Sequence, residues 1–178
     1  MVTTEDLYEL LGQDWPVGKR TRCFNTAVAR IIAGWTERRG VEGLPPCDNQ
    51  SGFLKRAAYL LISHCLAEGY GALLRVDGER WMRIPSQGPS FEENPFHWGL
   101  LAMFDDPDVM NKDRRRLFAH QMLYAHRHRV PEHLLIGFLA QIGRSEEIYA
   151  KVRENQREPW SRRVRLDKRR NDRRIRQV

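Results

Sequence analysis

The chain has 178 residues, 41% of them hydrophobic and 30% charged, with a formal net charge of +7. That length holds one domain, or one with an appendage, and buries a sizeable core. No run of 18 apolar residues occurs, which argues against a membrane span. The N-terminus lacks the basic region and apolar core of a secretion signal. Three widely spaced cysteines, Cys23, Cys47 and Cys65, make neither a disulfide framework nor a C-x-x-C zinc site, so a cytoplasmic setting is expected.

Taken in order, Thr3 or Thr4 caps a short helix carrying Leu7, Tyr8, Leu10 and Leu11, and Gly12 ends it. After the connection Trp15-Pro16-Val17-Gly18, a second helix places Phe24, Ala27, Val28, Ile31, Ile32 and Trp35 on one stripe. Val41 to Asn49, with its Pro45-Pro46 pair, reads as a loop. A third helix follows, capped by Ser51 and stopped by Gly69, with Phe53, Leu54, Ala57, Leu61, Cys65 and Leu66 inward.

Ala72 to Ile84 contains Asp77-Gly78, a strong two-residue turn signal, and predicts a β-hairpin. In that register Leu74, Val76 and Trp81 share an apolar face, and Arg75 stands opposite Arg80. Like charges directly opposed destabilise a hairpin, unless both splay into solvent or an anion lies between them. A helix followed by a basic hairpin resembles the recognition helix and wing of a winged-helix module. The resemblance implies groove docking through Arg56, Arg75, Arg80 and Arg83.

Pro85 to Pro95 is a loop and the best internal boundary. Phe96, Trp98, Leu100, Leu101, Met103 and Phe104 then predict a short apolar helix. Another runs from about Pro107 to Arg129, burying Leu117, Phe118, Gln121, Met122 and Ala125, and ends before Pro131. Pro131 opens a helix with Leu134, Leu135, Phe138, Leu139 and Ile142 inward, and Ser145 caps a last one reaching about Glu158. The expected fold is mainly α with one β-hairpin, winged-helix-like in its N-terminal half. Residues 1–85 hold the helix–hairpin unit, 86–158 pack on it as one domain, and 159–178 form a basic tail.

That tail dominates the charge. From Lys151 to Val178 there are 12 Lys/Arg and 4 Asp/Glu, against 18 and 19 in the first 150 residues. Arg162, Arg163, Arg165, Lys168, Arg169, Arg170, Arg173, Arg174 and Arg176 are its cations. Their density suits sequence-independent phosphate contact, against the alternative of a merely solubilising tail. Arginine outnumbers lysine 25 to 5, which suits phosphate recognition but also follows from a GC-rich genome.

Other chemistry finds little support. His120, His126, His128 and His133 lack metal-ligand spacing. Asp105, Asp106, Asp108 and Asp113 look like helix caps, and no acidic-x-Lys strand follows to complete a PD-(D/E)xK nuclease. No nucleophile elbow, Walker loop or dinucleotide fingerprint is present. No cofactor and no metal are expected. The expected function is non-catalytic nucleic-acid binding, duplex DNA before RNA, of a size and charge fitting a regulator or an accessory factor of a mobile element. The alternative is a protein–protein module using an aromatic patch of Phe91, Phe96, Trp98, Phe104 and Tyr124 to recruit or inhibit a nucleic-acid enzyme; a metal-dependent nuclease ranks below both.

Overall fold

The computed structural model describes residues 1–81, 88–104 and 106–159, with Arg80 and Trp81 through their backbone alone. Among these residues the chain is helix and turn with no strand: α1 (Thr4–Leu11), α2 (Arg20–Glu37), α3 (Gln50–Ala67), α4 (Gly71–Trp81), α5 (Pro95–Met103), α6 (Lys112–Arg127), α7 (Leu135–Gln141) and α8 (Ser145–Arg153). Short 3-10 turns, Val17–Lys19 and Glu132–Leu134, lead into α2 and α7.

Helix α3 is the hub. Ten of its residues are buried, including Phe53, Leu54, Ala57, Ala58, Tyr59, Leu61, Ile62 and Cys65. A helix apolar on nearly every side has to be surrounded, and α1, α2, α4, α5, α6 and α7 all touch it. Each fully buried Leu or Ile contributes about 1.5–3 kcal/mol of transfer free energy. Burial also pushes the Cys65 thiol up to about 12, so it stays a neutral packing group. Cys23 and Cys47 are free as well. No single described helix is long and apolar enough to cross a membrane.

Helix ends follow side-chain chemistry. Thr3 accepts from Asp6 N–H while the Asp6 carboxylate accepts from Thr3, a reciprocal capping box on α1. Asn49, rather than Ser51, caps α3 by accepting from Gly52 N–H at 2.8 Å. Gly69, at φ +72°, ends it, and the following Tyr70 N–H reaches back to Cys65 O at 2.7 Å. The same motif ends α6, where Val130 N–H donates to Ala125 O at 3.1 Å, but the left-handed residue there is Arg129, φ 55°.

The hairpin does not form. Gly71–Trp81 is the helix α4, and Asp77-Gly78 lies inside it. Gly78 serves a helix crossing: a Cβ there would sit 3.0 Å from Trp98 Cε3 and 3.1 Å from Trp98 O of α5. Gly99 of α5 likewise clears Ile62 of α3, whose Cγ1 would lie 2.6 Å from an added Cβ. Leu74 is buried, whereas Val76 is 57% exposed and packs on no hairpin face. With the hairpin goes the winged-helix expectation; the fold is mainly α.

The remaining differences are local. Helix α6 starts at Lys112, capped by Asn111, because the Pro107 segment is spent in a turn held by Asp106. Pro131 precedes a 3-10 turn, Leu134 is exposed, Ser145 is the first residue of α8 rather than its cap, and α8 stops at Arg153. Phe96, Trp98, Phe104 and Tyr124 are core residues and Phe91 is half-buried, so the expected aromatic patch is not a surface.

Two expectations follow. Leu74→Ala should cost about 2–5 kcal/mol, and Val76→Ala less than about 0.5 kcal/mol, in denaturant titrations; a packed hairpin face would make both costly. Arg129→Gly should raise stability by about 1 kcal/mol, because glycine relieves the left-handed backbone of an exposed side chain.

Candidate nucleic-acid interface

The arginines expected to read a groove have different fates. Arg56 is buried inside a polar knot: Nη1 lies 3.2 Å from Asp48 Oδ1, and Nη2 3.1 Å from Thr4 Oγ1 and 3.5 Å from Glu132 Oε1. Glu132, itself buried, also accepts from the Tyr8 hydroxyl. Burial, with that bond and the Glu132 charge, pushes the Tyr8 phenol up to about 12. Arg56 is therefore neutralised in place and cannot meet a ligand. Arg75 is exposed, but helical spacing sets its Nε 3.4 Å from Glu79 Oε1 instead of opposite Arg80. The Arg80 side chain, Arg83 and the tail cations from Arg162 to Arg176 lie outside the described residues.

The structure exposes a different basic feature at the start of α6. Lys112, Arg114, Arg115 and Arg116 fall there with Asp113 as the single acid of the first turn, the reverse of what the helix dipole favours. Asn111 caps the helix by accepting from Arg114 N–H at 2.9 Å. Arg114 donates to Val109 O at 3.2 Å, and its Cζ lies 5.4 Å from the centre of the Phe118 ring. Lys55, arriving from α3, puts Nζ 4.5 Å from the centre of that same ring.

Arg115 donates to Met110 O at 3.2 Å, and its Nε is buried without a partner. Among the described residues none of these cations has a carboxylate within ion-pair distance. Burial, then the Arg114 charge, holds the Lys55 ammonium below its ordinary value. Burial lowers Arg115 as well, and burial with Arg115 and His120 takes His97 down to about 4. The run KDRRR at 112–116 carries this signal in the sequence, but helical periodicity there points to the apolar positions instead.

A cleft of about 300 Å³ lies between α6 and α8, lined by Asp113, Arg116, His120, Glu146 and Tyr149 among others. His120 and Tyr149 rings are 4.6 Å apart, and Arg116 Cζ sits 4.9 Å from the Tyr149 ring centre. The His120 Nδ1 faces Arg116 O at 2.7 Å, so that nitrogen carries the proton. Among the described residues no hydrogen bond joins His120 to Ser145, Asp113 or Glu146, and no three His, Cys, Asp or Glu side chains are placed to hold a metal. The other histidines are scattered: His126 packs edge-on against Phe96, and His133 stands 3.5 Å from Glu132.

The far end of α6 anchors the segment that leads to the tail. The Glu158 carboxylate accepts from Tyr124 Oη at 2.9 Å and Lys151 Nζ at 2.7 Å, while its backbone N–H donates to His128 Nε2 at 2.9 Å. His128 Nδ1–H in turn donates to Tyr124 O at 2.7 Å, which fixes the neutral tautomer. Burial pushes the Glu158 carboxyl up, but the bonds from Lys151 and Tyr124 and the nearby positive charge outweigh it and leave it low.

No protein-family model matches the chain, and neither do curated proteins or solved structures. The class is therefore defined by its own features: an all-helical body in which, among the described residues, cations without a carboxylate partner gather at one end of α6 and Glu158 is anchored at the other.

Arg56→Met should cost about 3–5 kcal/mol, since it strands the buried Glu132, while the protein that does fold keeps its affinity for a duplex; chemical denaturation and a binding titration check the two halves. The Glu158 contribution is present above the ordinary carboxylate value of 4.5 and lost as pH falls through the depressed one. Wild type and Glu158→Gln should thus differ in melting temperature at pH 7 and converge toward pH 3.

Proposed function

We propose that the protein is a non-catalytic nucleic-acid-binding protein that holds a duplex, DNA in the first place, through sequence-independent contacts to phosphates. One observation carries this reading: 12 Lys/Arg against 4 Asp/Glu between Lys151 and Val178, on a chain whose remainder is near neutral. A polycation of that density attracts a polyanion, and condensed counterions released from the duplex drive the association. The cations at the start of α6, without a carboxylate partner among the described residues, support it from the folded body. The wing that favoured DNA is gone; DNA stays in front because the described body carries no β-sheet on which unstacked RNA bases would lie.

Fluorescence anisotropy with a duplex of generic sequence, at salt from about 50 to 200 mM, tests this. Log K should fall steeply with log salt. Changing the nine cations between Arg162 and Arg176 to glutamine should flatten the slope by about 0.9 for every phosphate no longer neutralised. Binding that ignores salt, or that survives the substitutions unchanged, would remove the reading. An RNA duplex in parallel ranks the two polymers.

A further inference from the structure

We propose that Lys55 and Arg114, gathered over the Phe118 ring, form a phosphate site in the folded body that takes backbone phosphodiester groups of a bound nucleic acid. The inference rests on the nucleic-acid reading and adds to it a place on the body where the polymer is held.

Holding these cations together is costly. The two, from different helices, lean on one aromatic ring, at 4.5 and 5.4 Å from its centre, and among the described residues neither has a carboxylate at ion-pair distance. Like charges so placed repel, and a lysine with four rotatable bonds is free to escape into water. Arg56, Lys151 and Arg38 leave solvent with compensation, whereas Arg127 meets the Val152 carbonyl and the charge of Arg157. Arg56 has Asp48 and Glu132, and Lys151 has Glu158. Arg38 donates to Asp48 O and Gly34 O and feels the charges of Asp48 and Glu37.

Among the described residues no carboxylate acts on Lys55; burial works against its charge, and the neighbouring Arg114 does so too. A phosphate supplies the missing partner. Its unesterified oxygens accept from an ammonium and from the fork of a guanidinium together. The positive end of the α6 dipole adds attraction, though Asn111 already caps the helix, so the site consists of side chains.

The test uses the full chain carrying Lys55→Gln and Arg114→Gln together, titrated with the same duplex across the same salt range. The slope of log K against log salt should drop by about 1–2, with the circular dichroism of wild type. Should the double variant fold poorly, amine-reactive footprinting of wild type decides: duplex should protect Lys55 from acylation and leave exposed Lys19 reactive. An unchanged slope, or Lys55 equally reactive with and without duplex in a protein that binds it, overturns the site and leaves the tail to hold the polymer alone. A wild-type protein that ignores duplex even at about 50 mM salt overturns the nucleic-acid reading and the site with it.

Discussion

The fold depends on burying α3 on all sides while keeping one charge at its centre neutral. Arg56 lies among Ala57, Phe53 and Tyr59 in sequence, in a helix that six others cover. An isolated guanidinium there would cost several kcal/mol. Asp48 from the preceding loop, Glu132 from the turn before α7 and Thr4 from α1 close around it. Three distant parts of the chain are thereby fixed in register by one side chain, and Tyr8 secures Glu132 from the remaining side. Tyr59 adds a second tie, its hydroxyl donating to Val130 O at 2.8 Å.

Much of this architecture is legible from periodicity. The stripe Phe24, Ala27, Val28, Ile31 and Trp35 is buried as expected, and so is most of the α3 set. The stop at Gly69 and the helix end before Pro131 also stand, because glycine at positive φ and proline after a helix are local constraints. The expected hairpin fails for the opposite reason. Asp77-Gly78 is a turn signal only if the backbone needs positive φ, whereas here Gly78 is wanted for its missing side chain against Trp98. Close packing between helices distant in sequence leaves no local mark.

The candidate site is less legible still. In sequence Arg56 and Arg114 are equivalent, each an arginine off the apolar stripe of an amphipathic run. Their difference is tertiary: Asp48 and Glu132 meet the first, while Lys55, another cation, meets the surroundings of the second. The aspartates before α6 suggest caps or metal ligands, and Asp106 does hold the turn at Asp108. Which charges are cancelled is decided by the fold, so composition can count the surplus without locating it on the body.

Helix α6 also acts as a ruler. Arg114 stands near its first turn, and His128, which grips Glu158, stands at its end. At 1.5 Å per residue the two are about 21 Å apart, or roughly six steps along a nucleic-acid strand at 3.4 Å each. On the nucleic-acid reading, Arg114 and the point from which the chain continues beyond Glu158 are therefore held that far apart by one helix. The second contact then becomes intramolecular, and its strength is governed by effective concentration rather than by the amount of protein in solution. Two weak holds carried on one molecule behave as a single tight one.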